Sequence, residues 1–252
     1  MLSAEFHALA TWSEFLFGGI TLLALLMFTA PYGRHTRDGW GPSVSNRVGW
    51  VLMEAPAVFA FLWFFFQGQN ALEAAPLVML GAWQLHYVHR TFVFPLRLKT
   101  TGKRITWVVV LLGAAFNTLN AYINATWLSE FGSYSRSWLL DPRFLCGAAV
   151  FALGMYINLE ADRRLLALRK PGESGYRIPR GWLYKYVTCP NYLGELLEWV
   201  GFAIATWSLP GLAFAMYTAA NLGPRAVANH RWYQQKFEEY PKDRKALLPF
   251  VL

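Results

Sequence analysis

Residues 105–128 read ITWVVVLLGAAFNTLNAYINATWL, a run that contains no charged side chain. A stretch of about 18–25 mainly apolar residues is long enough to cross a bilayer as an α-helix. Comparable segments lie near residues 9–30, 48–66, 73–95, 139–160, 191–210 and 211–229. The chain has 55% hydrophobic and only 15% charged residues, whereas soluble domains average about 25% charged residues. We therefore predict an all-α polytopic membrane protein with seven transmembrane helices, folded as a single membrane domain over residues 1–252.

The positive charge of the chain is unevenly distributed among the gaps between these segments. The formal net charge is +8, and nearly all Lys and Arg residues lie in alternate gaps, within 34–47, 90–104 and 161–190 and from residue 225 onward. Basic residues collect on the cytoplasmic side of membrane proteins, which predicts an N-terminus outside and a C-terminus in the cytoplasm. The charge is a topology signal. It indicates a lipid bilayer as partner and no nucleic acid. No obligate protein partner is evident, and the host membrane would be the bacterial inner membrane or the endoplasmic reticulum membrane.

Two polar side chains inside predicted spans point to chemistry. Glu54 lies in the second segment, where a lone carboxylate costs a few kcal/mol unless it is protonated or hydrogen-bonded. Tyr87 lies in the third, and a Tyr hydroxyl beside a buried Glu can donate a polarised proton to a substrate oxygen. The alternatives are a polar contact between helices for Glu54 and an interfacial position for Tyr87, because Arg90 marks the membrane edge.

A metal site is not predicted. His86 and His89 are three residues apart, but the chain has only five histidines and the others are scattered. A metal-dependent membrane oxidase needs a denser set of ligands.

Polar residues at helical spacing form stripes along three segments. Asn191, Glu195 and Glu198 fall at i, i+4 and i+7, on one helical face. Two further stripes are Asn117, Asn120 and Asn124, and Asn221, Arg225 and Asn229 followed by Tyr233. Such stripes indicate a polar cavity between helices. The alternative for the first is a structural stripe that pairs with basic residues of the C-terminal tail.

The long basic gap has the composition of a ligand site. Asn158 and Asp162 end the fifth segment, and residues 163–181 combine Arg with Tyr, Gly and Pro. Arginines with aromatic rings suit phosphates and a planar ring, whereas the alternative is binding of anionic lipid head groups. No dinucleotide or phosphate-binding glycine motif is present, so a nucleotide would be held by the helices themselves. Residues 234–252 are predicted to fold back onto this end.

Several runs resemble the steroid 5α-reductase family. These are residues 191–199 (NYLGELLEW) with 205–210 (ATWSLP), 169–173 with 176–179, His89 to Val93, Glu54 with Pro56, and the tail from His230 to Phe250. The resemblance spans about residues 50–252 and is dense after 150. The chain departs from the family pattern at Met53, where the family carries Gln, and at 228–230, where the family carries consecutive histidines.

The resemblance implies a membrane enzyme that reduces the Δ4 double bond of 3-oxo steroids, such as testosterone or progesterone, with NADPH. Hydride would go to C5 on the α face, and Glu54 and Tyr87 would polarise the 3-oxo group. About residues 150–252 would form the cofactor-binding region. The side chains implied in NADPH binding are Asn158, Asp162, Arg169, Tyr176, Arg177, Asn191, Glu195, Tyr233 and Arg244.

Four other functions remain open at this point. A membrane methyltransferase of the isoprenylcysteine type would use S-adenosylmethionine and need no Glu/Tyr pair. A related enone, enoyl-lipid or polyprenol reductase would share the cofactor but bind a different lipid. A sterol or lipid sensor would bind without turnover, and a transporter fits least because no repeated half is visible.

Overall fold

The computed structural model describes residues 3–31, 33–35, 37, 39–98, 102–168 and 175–252. It is mostly helical. The α-helices are α1 (Ala4–Met27), α2 (Asn46–Phe65), α3 (Ala74–Val88), α4 (Phe94–Arg97), α5 (Trp107–Thr126), α6 (Pro142–Ala167), α7 (Pro190–Thr206) and α8 (Leu209–Lys236). One π-helical turn, His89–Val93, joins α3 to α4, and a second, Trp127–Phe131, extends α5. Short 3-10 turns occupy Gly33–His35, Arg136–Leu140 and Trp182–Lys185.

Each of the seven apolar segments is a helix or a continuous helical run over most of its length. Four of these helices are long and apolar enough to cross a membrane: Ala4–Met27, Asn46–Phe65, Trp107–Phe131 and Pro142–Ala167. Their outward faces carry large exposed apolar side chains, as expected for surfaces that face lipid. The chain is therefore a helical protein of membrane type.

A small two-stranded sheet was not predicted. Strands β1 (Ser43–Ser45) and β2 (Arg104–Thr106) pair antiparallel, with Val44 opposite Ile105. The apolar segment that begins at Ile105 therefore starts as a strand, and helix α5 begins two residues later. Ile105 is buried in this pairing. An apolar β-branched residue suits a short strand as well as a helix end, so local composition does not separate the two.

Local signals define the helix starts. The Ser3 hydroxyl accepts a hydrogen bond from Phe6 N at 3.1 Å, and Ser208 accepts one from Gly211 N at 3.1 Å. Asp141 begins α6 by accepting the Arg143 N–H at 2.8 Å. Hydrogen bonds from the side chain and backbone of Arg143 lower the pKa of Asp141 to about 2, as expected for a carboxylate that caps a helix.

Helices α6 and α7 pack backbone to backbone through glycines. Gly147 and Gly154 are seven residues apart on α6, as Gly194 and Gly201 are on α7, so each pair repeats on one face after two turns. A Cβ on Gly154 would lie 2.6 Å from Gly194 O, and one on Gly147 would lie 2.6 Å from Gly201 O. Small residues permit such close approach between helices in membranes.

The connections between helices collect at two opposite ends of the bundle. At one end, Asn70 N donates to Ser129 O at 2.7 Å and Tyr134 OH donates to Thr206 O at 2.7 Å. At the other end lie the β1–β2 pair and the contact of Lys103 Nζ with Tyr176 OH, 2.9 Å. The second end carries the basic gaps.

The C-terminal tail folds back onto the start of α7, as predicted. Thr188 N donates to Lys245 O at 2.8 Å, and Cys189 N donates to Ala246 O at 3.1 Å. Ala246 and Leu247 pack in a buried cluster with Cys189 and residues of α7 and α8. The tail thus covers the basic end of the bundle.

Candidate functional site

Glu54 is held in the interior by a neighbouring helix. Asn117 of α5 donates through Nδ2 to Glu54 Oε2 at 3.2 Å and to Met53 O at 2.8 Å. The stripe of asparagines predicted on α5 faces inward, because Asn117, Asn120 and Asn124 are all buried. The Glu54 carboxyl interacts electrostatically with Arg90. Asn117 therefore fixes one oxygen of Glu54 and leaves the other to a further partner.

Tyr87 lies in an aromatic cluster at the centre of the bundle. It is 4% exposed. Its ring lies 4.9 Å from those of Trp83 and His86 and 5.5 Å from that of Trp199, between ring centroids. Tyr87 interacts electrostatically with Glu54. The structure therefore brings the two predicted catalytic residues into one region, and the buried position of Tyr87 argues against an interfacial role.

Glu198 pairs with α3 instead of with the tail. His86 Nδ1 lies 2.7 Å from Glu198 Oε1, and both side chains are buried. The His86 ring also packs edge-on against Trp199 at 4.7 Å. This pair joins α3 to α7 directly behind Tyr87, and it uses a histidine that the sequence left without a role.

Arg90 is the centre of a buried ionic cluster, a role that the sequence did not reveal. Its Nη1 lies 3.4 Å from Asp162 Oδ2, and its Nη2 lies 3.7 Å from Glu195 Oε2. The guanidinium lies over the rings of Trp50 at 4.8 Å and Phe94 at 4.7 Å. The π-helical turn that contains Arg90 changes the helical phase after Tyr87. The sequence signal that could have revealed this role is the position of Arg90, three residues after the predicted catalytic Tyr87.

The predicted asparagines complete this cluster. Asn191 Nδ2 donates to Asp162 Oδ1 at 3.1 Å, and Asn158 Nδ2 donates to Asn191 O at 2.9 Å. Four of the residues predicted to bind a cofactor, Asn158, Asp162, Asn191 and Glu195, therefore lie together around Arg90, where α6 and α7 meet. We call this set the ionic cluster.

Tyr176 and Tyr233 belong to a second group at the basic end. The Arg34 guanidinium lies 4.6 Å from the Tyr233 ring, 5.1 Å from the Trp232 ring and 5.5 Å from the Tyr176 ring. Lys103 Nζ bonds Tyr176 OH at 2.9 Å and lies over its ring. We call these five residues the basic aromatic group. Sequence reasoning missed Arg34 and Lys103 because both lie far along the chain from Tyr176.

Arg244 and Arg177 lie beside this group. Arg244 is 3% exposed. It donates through Nη2 to Pro179 O at 3.1 Å and through Nη1 to Tyr240 OH at 3.4 Å. Tyr233 OH donates to the backbone oxygen of Arg177 at 3.4 Å. Arg169 lies outside the described residues.

His35 adds no positive charge here at neutral pH. Its Nε2 lies 3.1 Å from Asn229 Oδ1. Burial, together with the positive charges of Arg225, Arg34 and Arg37, lowers the pKa of His35 against the opposing hydrogen bond with Asn229.

The donor set suits a large anionic ligand with planar rings. Among the described residues, Arg34 Nη1 and Arg244 Nε are buried without a hydrogen-bond partner, and so is Glu195 Oε2. Buried donors normally have partners. Guanidinium groups bind phosphates, and aromatic rings stack on planar ligands. No group of three or more His, Cys, Asp and Glu side chains in the described part of the chain could hold a metal ion.

Comparisons with known proteins converge on one family. Residues 103–252 match the family model described as 3-oxo-5-alpha-steroid 4-dehydrogenase. The chain is 45% identical to a steroid 5-alpha-reductase of Arabidopsis thaliana, over 94% of this chain and 93% of the relative. It is 41% identical to a steroid 5-alpha-reductase of Gossypium hirsutum, over 100% and 95%. It is 43% identical to the 3-oxo-5-alpha-steroid 4-dehydrogenase 1 of Rattus norvegicus, over 92% and 90%.

Proposed function

The chain belongs to the 3-oxo-5-alpha-steroid 4-dehydrogenase family and is an oxidoreductase of steroid metabolism, and on that premise we propose that it reduces the Δ4 double bond of 3-oxo-Δ4-steroids with NADPH. Steroids of the testosterone or progesterone type are the proposed substrates, and the 5α-reduced 3-oxo steroids are the products. Membership in this family sets aside the methyltransferase, sensor and transporter alternatives.

The observation that carries this proposal is the position of Glu54 and Tyr87 relative to the ionic cluster. Glu54 and Tyr87 are within electrostatic range of each other and of Glu195 in the bundle interior, and Tyr87 precedes Arg90, the ion-pair partner of Glu195, by three residues. An acid and a phenol thus lie on the same side of the bundle interior as the residues proposed to bind the reducing end of the cofactor. That arrangement is what an enone reduction requires, since the carbonyl oxygen and the carbon that accepts hydride are in the same conjugated system.

The proposed roles of Glu54 and Tyr87 follow from where negative charge develops. Addition of hydride at C5 moves electron density through C4 to the 3-oxo oxygen. The Tyr87 hydroxyl and a protonated Glu54 would donate hydrogen bonds to that oxygen, which stabilises the enolate. Asn117 orients Glu54 by donating to Oε2. The enolate then takes a proton at C4 from solvent or a nearby acid.

The cofactor residues fit NADPH by their chemistry. When bound, NADPH supplies the hydride, while the protein binds and orients it. The basic aromatic group, with Arg169, Arg177 and Arg244, would hold the phosphates and a planar ring. Asn191 and Glu195 would lie nearer the nicotinamide. The proposed cofactor region therefore extends beyond residues 150–252, because Arg34, Lys103 and Arg90 precede it in the chain.

We propose seven membrane crossings, with the N-terminus outside and the C-terminus in the cytoplasm. The segregation of the connections into two ends, with the basic gaps at one of them, supports this topology. The proposal places the basic aromatic group on the cytoplasmic side, where NADPH is available.

Purified protein in detergent tests the proposed function. NADPH oxidation is followed at 340 nm with and without testosterone or progesterone, and the product is identified by mass spectrometry. Steroid-dependent oxidation with a 5α-reduced product is expected. If NADPH binds but neither steroid is reduced, a related enone or enoyl-lipid reductase takes the place of this proposal. If NADPH does not bind at all, the cofactor assignment is wrong.

A further inference from the structure

Glu14 is a buried carboxyl group for which the proposed reaction has no use. It lies in the middle of α1 and is 0% exposed. Neither of its oxygens has a hydrogen-bond partner among the described residues. A carboxyl group without partners inside a membrane bundle costs several kcal/mol. Such a group is rare in a folded protein and usually marks function.

The position of Glu14 on α1 directs it into the bundle. The buried positions of this helix are His7, Ala10, Thr11, Glu14 and Gly18, which form a single face. His7 Nε2 lies 2.8 Å from Ile123 O of α5. Gly18 packs against the backbone of Tyr217 in α8: a Cβ added at Gly18 would lie 3.7 Å from Tyr217 Cα. Glu14 lies between these two contacts, so it faces the space bounded by α5 and α8.

That space adjoins the proposed catalytic residues. Gly18 lies against the backbone of Tyr217, and the Trp199 ring lies 5.5 Å from that of Tyr87, between centroids. Tyr217 stacks on Phe116 of α5 at 3.6 Å, and Phe214 lies 4.3 Å from Trp199, between ring centroids. These aromatic side chains form apolar surroundings, of the kind that would contact the steroid rings. A carboxyl group in such surroundings is suited to bind one polar group of an otherwise apolar ligand.

A second unpartnered group lies close along α5. Asn120 is 0% exposed, and its Nδ2 has no hydrogen-bond partner among the described residues, although its Oδ1 accepts a bond from Asn124 at 2.7 Å. His7 contacts Ile123, and α1 and α5 run in opposite directions. Glu14 lies seven residues after His7 and Asn120 three residues before Ile123, so their levels along the bundle axis differ by about one helical turn. A Glu14 oxygen can accept a hydrogen bond and Asn120 Nδ2 can donate one. A hydroxyl group, which both donates and accepts, can bond with both, whereas a ketone oxygen can only accept.

We propose that Glu14, with Asn120, determines substrate specificity by accepting a hydrogen bond from a hydroxyl group of the steroid, apart from the Glu54–Tyr87 pair. This inference takes the class of ligand, a steroid, from the proposed function and rests on it to that extent. It explains a buried carboxyl that folding alone would disfavour. It also assigns a role to α1, which lies outside the part of the chain matched by the family model.

The test compares two 3-oxo-Δ4-steroids that differ at one position, testosterone with a 17β-hydroxyl and androstenedione with a 17-ketone. Binding to the full-length protein is measured by quenching of tryptophan fluorescence, for wild type and for Glu14→Leu. We expect wild type to prefer testosterone by about tenfold, the size of one net hydrogen bond. Glu14→Leu should reduce this preference to near one while androstenedione binds normally.

Controls separate this inference from the proposed reaction and from folding. Glu14→Gln keeps an acceptor oxygen and should retain part of the preference, and Glu5→Gln, at an exposed position of the same helix, should retain all of it. An unchanged preference in Glu14→Leu, or equal loss for both steroids, would overturn the inference. If both steroids bind with the expected preference but NADPH is not oxidised, the proposed function fails and the specificity role stands.

Discussion

At the scale of single residues, the proposed function depends on how Glu54 is held. Its Oε2 is bound by Asn117, and its charge is coupled to those of Arg90 and Glu195. A carboxyl group in this position can be tested without a change of shape, because glutamine is isosteric and cannot transfer a proton.

Glu54→Gln should lower kcat by about 100-fold or more, the usual contribution of a positioned acid or base. NADPH affinity should stay unchanged, because Glu54 is proposed to contact the steroid and not the cofactor. Steroid-dependent NADPH oxidation and NADPH binding by fluorescence measure the two quantities separately. The control is Glu73→Gln, at an exposed position before α3. Wild-type turnover in Glu54→Gln would remove Glu54 from the mechanism.

The ionic cluster also depends on individual residues whose partners are distant in sequence. Arg90 is within reach of two carboxylates, and Asn191 of α7 donates to one of them, Asp162 of α6. A buried charge is tolerated only with such partners. The sequence placed Arg90 at a membrane edge, whereas the structure shows that it organises four of the residues predicted for the cofactor.

At the scale of secondary structure elements, the pair α6–α7 carries the proposed cofactor side of the site. Its glycines let the two backbones approach, and this approach aligns Asn158 and Asp162 with Asn191. The site geometry therefore depends on residues that carry no functional group.

Gly154→Ala should destabilise the protein by at least about 2 kcal/mol, because the added methyl group would overlap backbone atoms that cannot move aside. A Cβ at Gly154 would lie 2.8 Å from Glu198 Cα. Thermal unfolding in detergent should show a lower midpoint, together with weaker NADPH binding. Gly81→Ala, at a helical glycine of α3 with open space around it, should leave both quantities unchanged. An unaltered midpoint in Gly154→Ala would contradict the close packing.

At the scale of the whole molecule, the C-terminal tail closes the basic end. It brings Arg244 onto Pro179 O and Tyr240, beside the basic aromatic group. The tail therefore serves both the stability of that end and the proposed binding of phosphates.

Arg244→Ala should weaken NADPH binding by about tenfold, because a hydrogen-bonded cation is lost from the proposed phosphate region. NADPH titration followed by fluorescence measures the affinity, and the thermal midpoint without ligand detects any loss of tail packing. Arg231→Ala changes an exposed arginine of α8 and should have little effect. An unchanged NADPH affinity in Arg244→Ala would place Arg244 outside the cofactor site.

The proposed topology predicts opposite accessibility for two exposed positions. In a variant in which Cys146 and Cys189 are replaced, Ser137→Cys lies in the connection before α6 and Lys242→Cys lies in the tail. A membrane-impermeant maleimide added to intact cells should label the first and reach the second only after lysis. The reverse pattern would invert the topology. Labelling of both cysteines in intact cells would contradict an odd number of crossings between positions 137 and 242.

The sequence by itself determined the helical segments, the division of the gaps by charge, and most of the candidate site residues. Apolar length and helical period are local properties, so they can be read without knowledge of the fold. The resemblance to the steroid 5α-reductase family directed attention to Glu54, Tyr87 and the cofactor residues, and the comparisons confirmed the family.

Only the tertiary structure decided which polar groups meet. The spacing of Asn191, Glu195 and Glu198 predicts a shared face but does not identify its partners, which prove to be Asp162, Arg90 and His86. The unpartnered state of Glu14 is likewise invisible in α1 alone. These contacts join residues far apart in the chain, and they depend on helix packing and on the phase change of a π-turn. Neither the helix packing nor this phase change is encoded in the local pattern of apolar and polar residues.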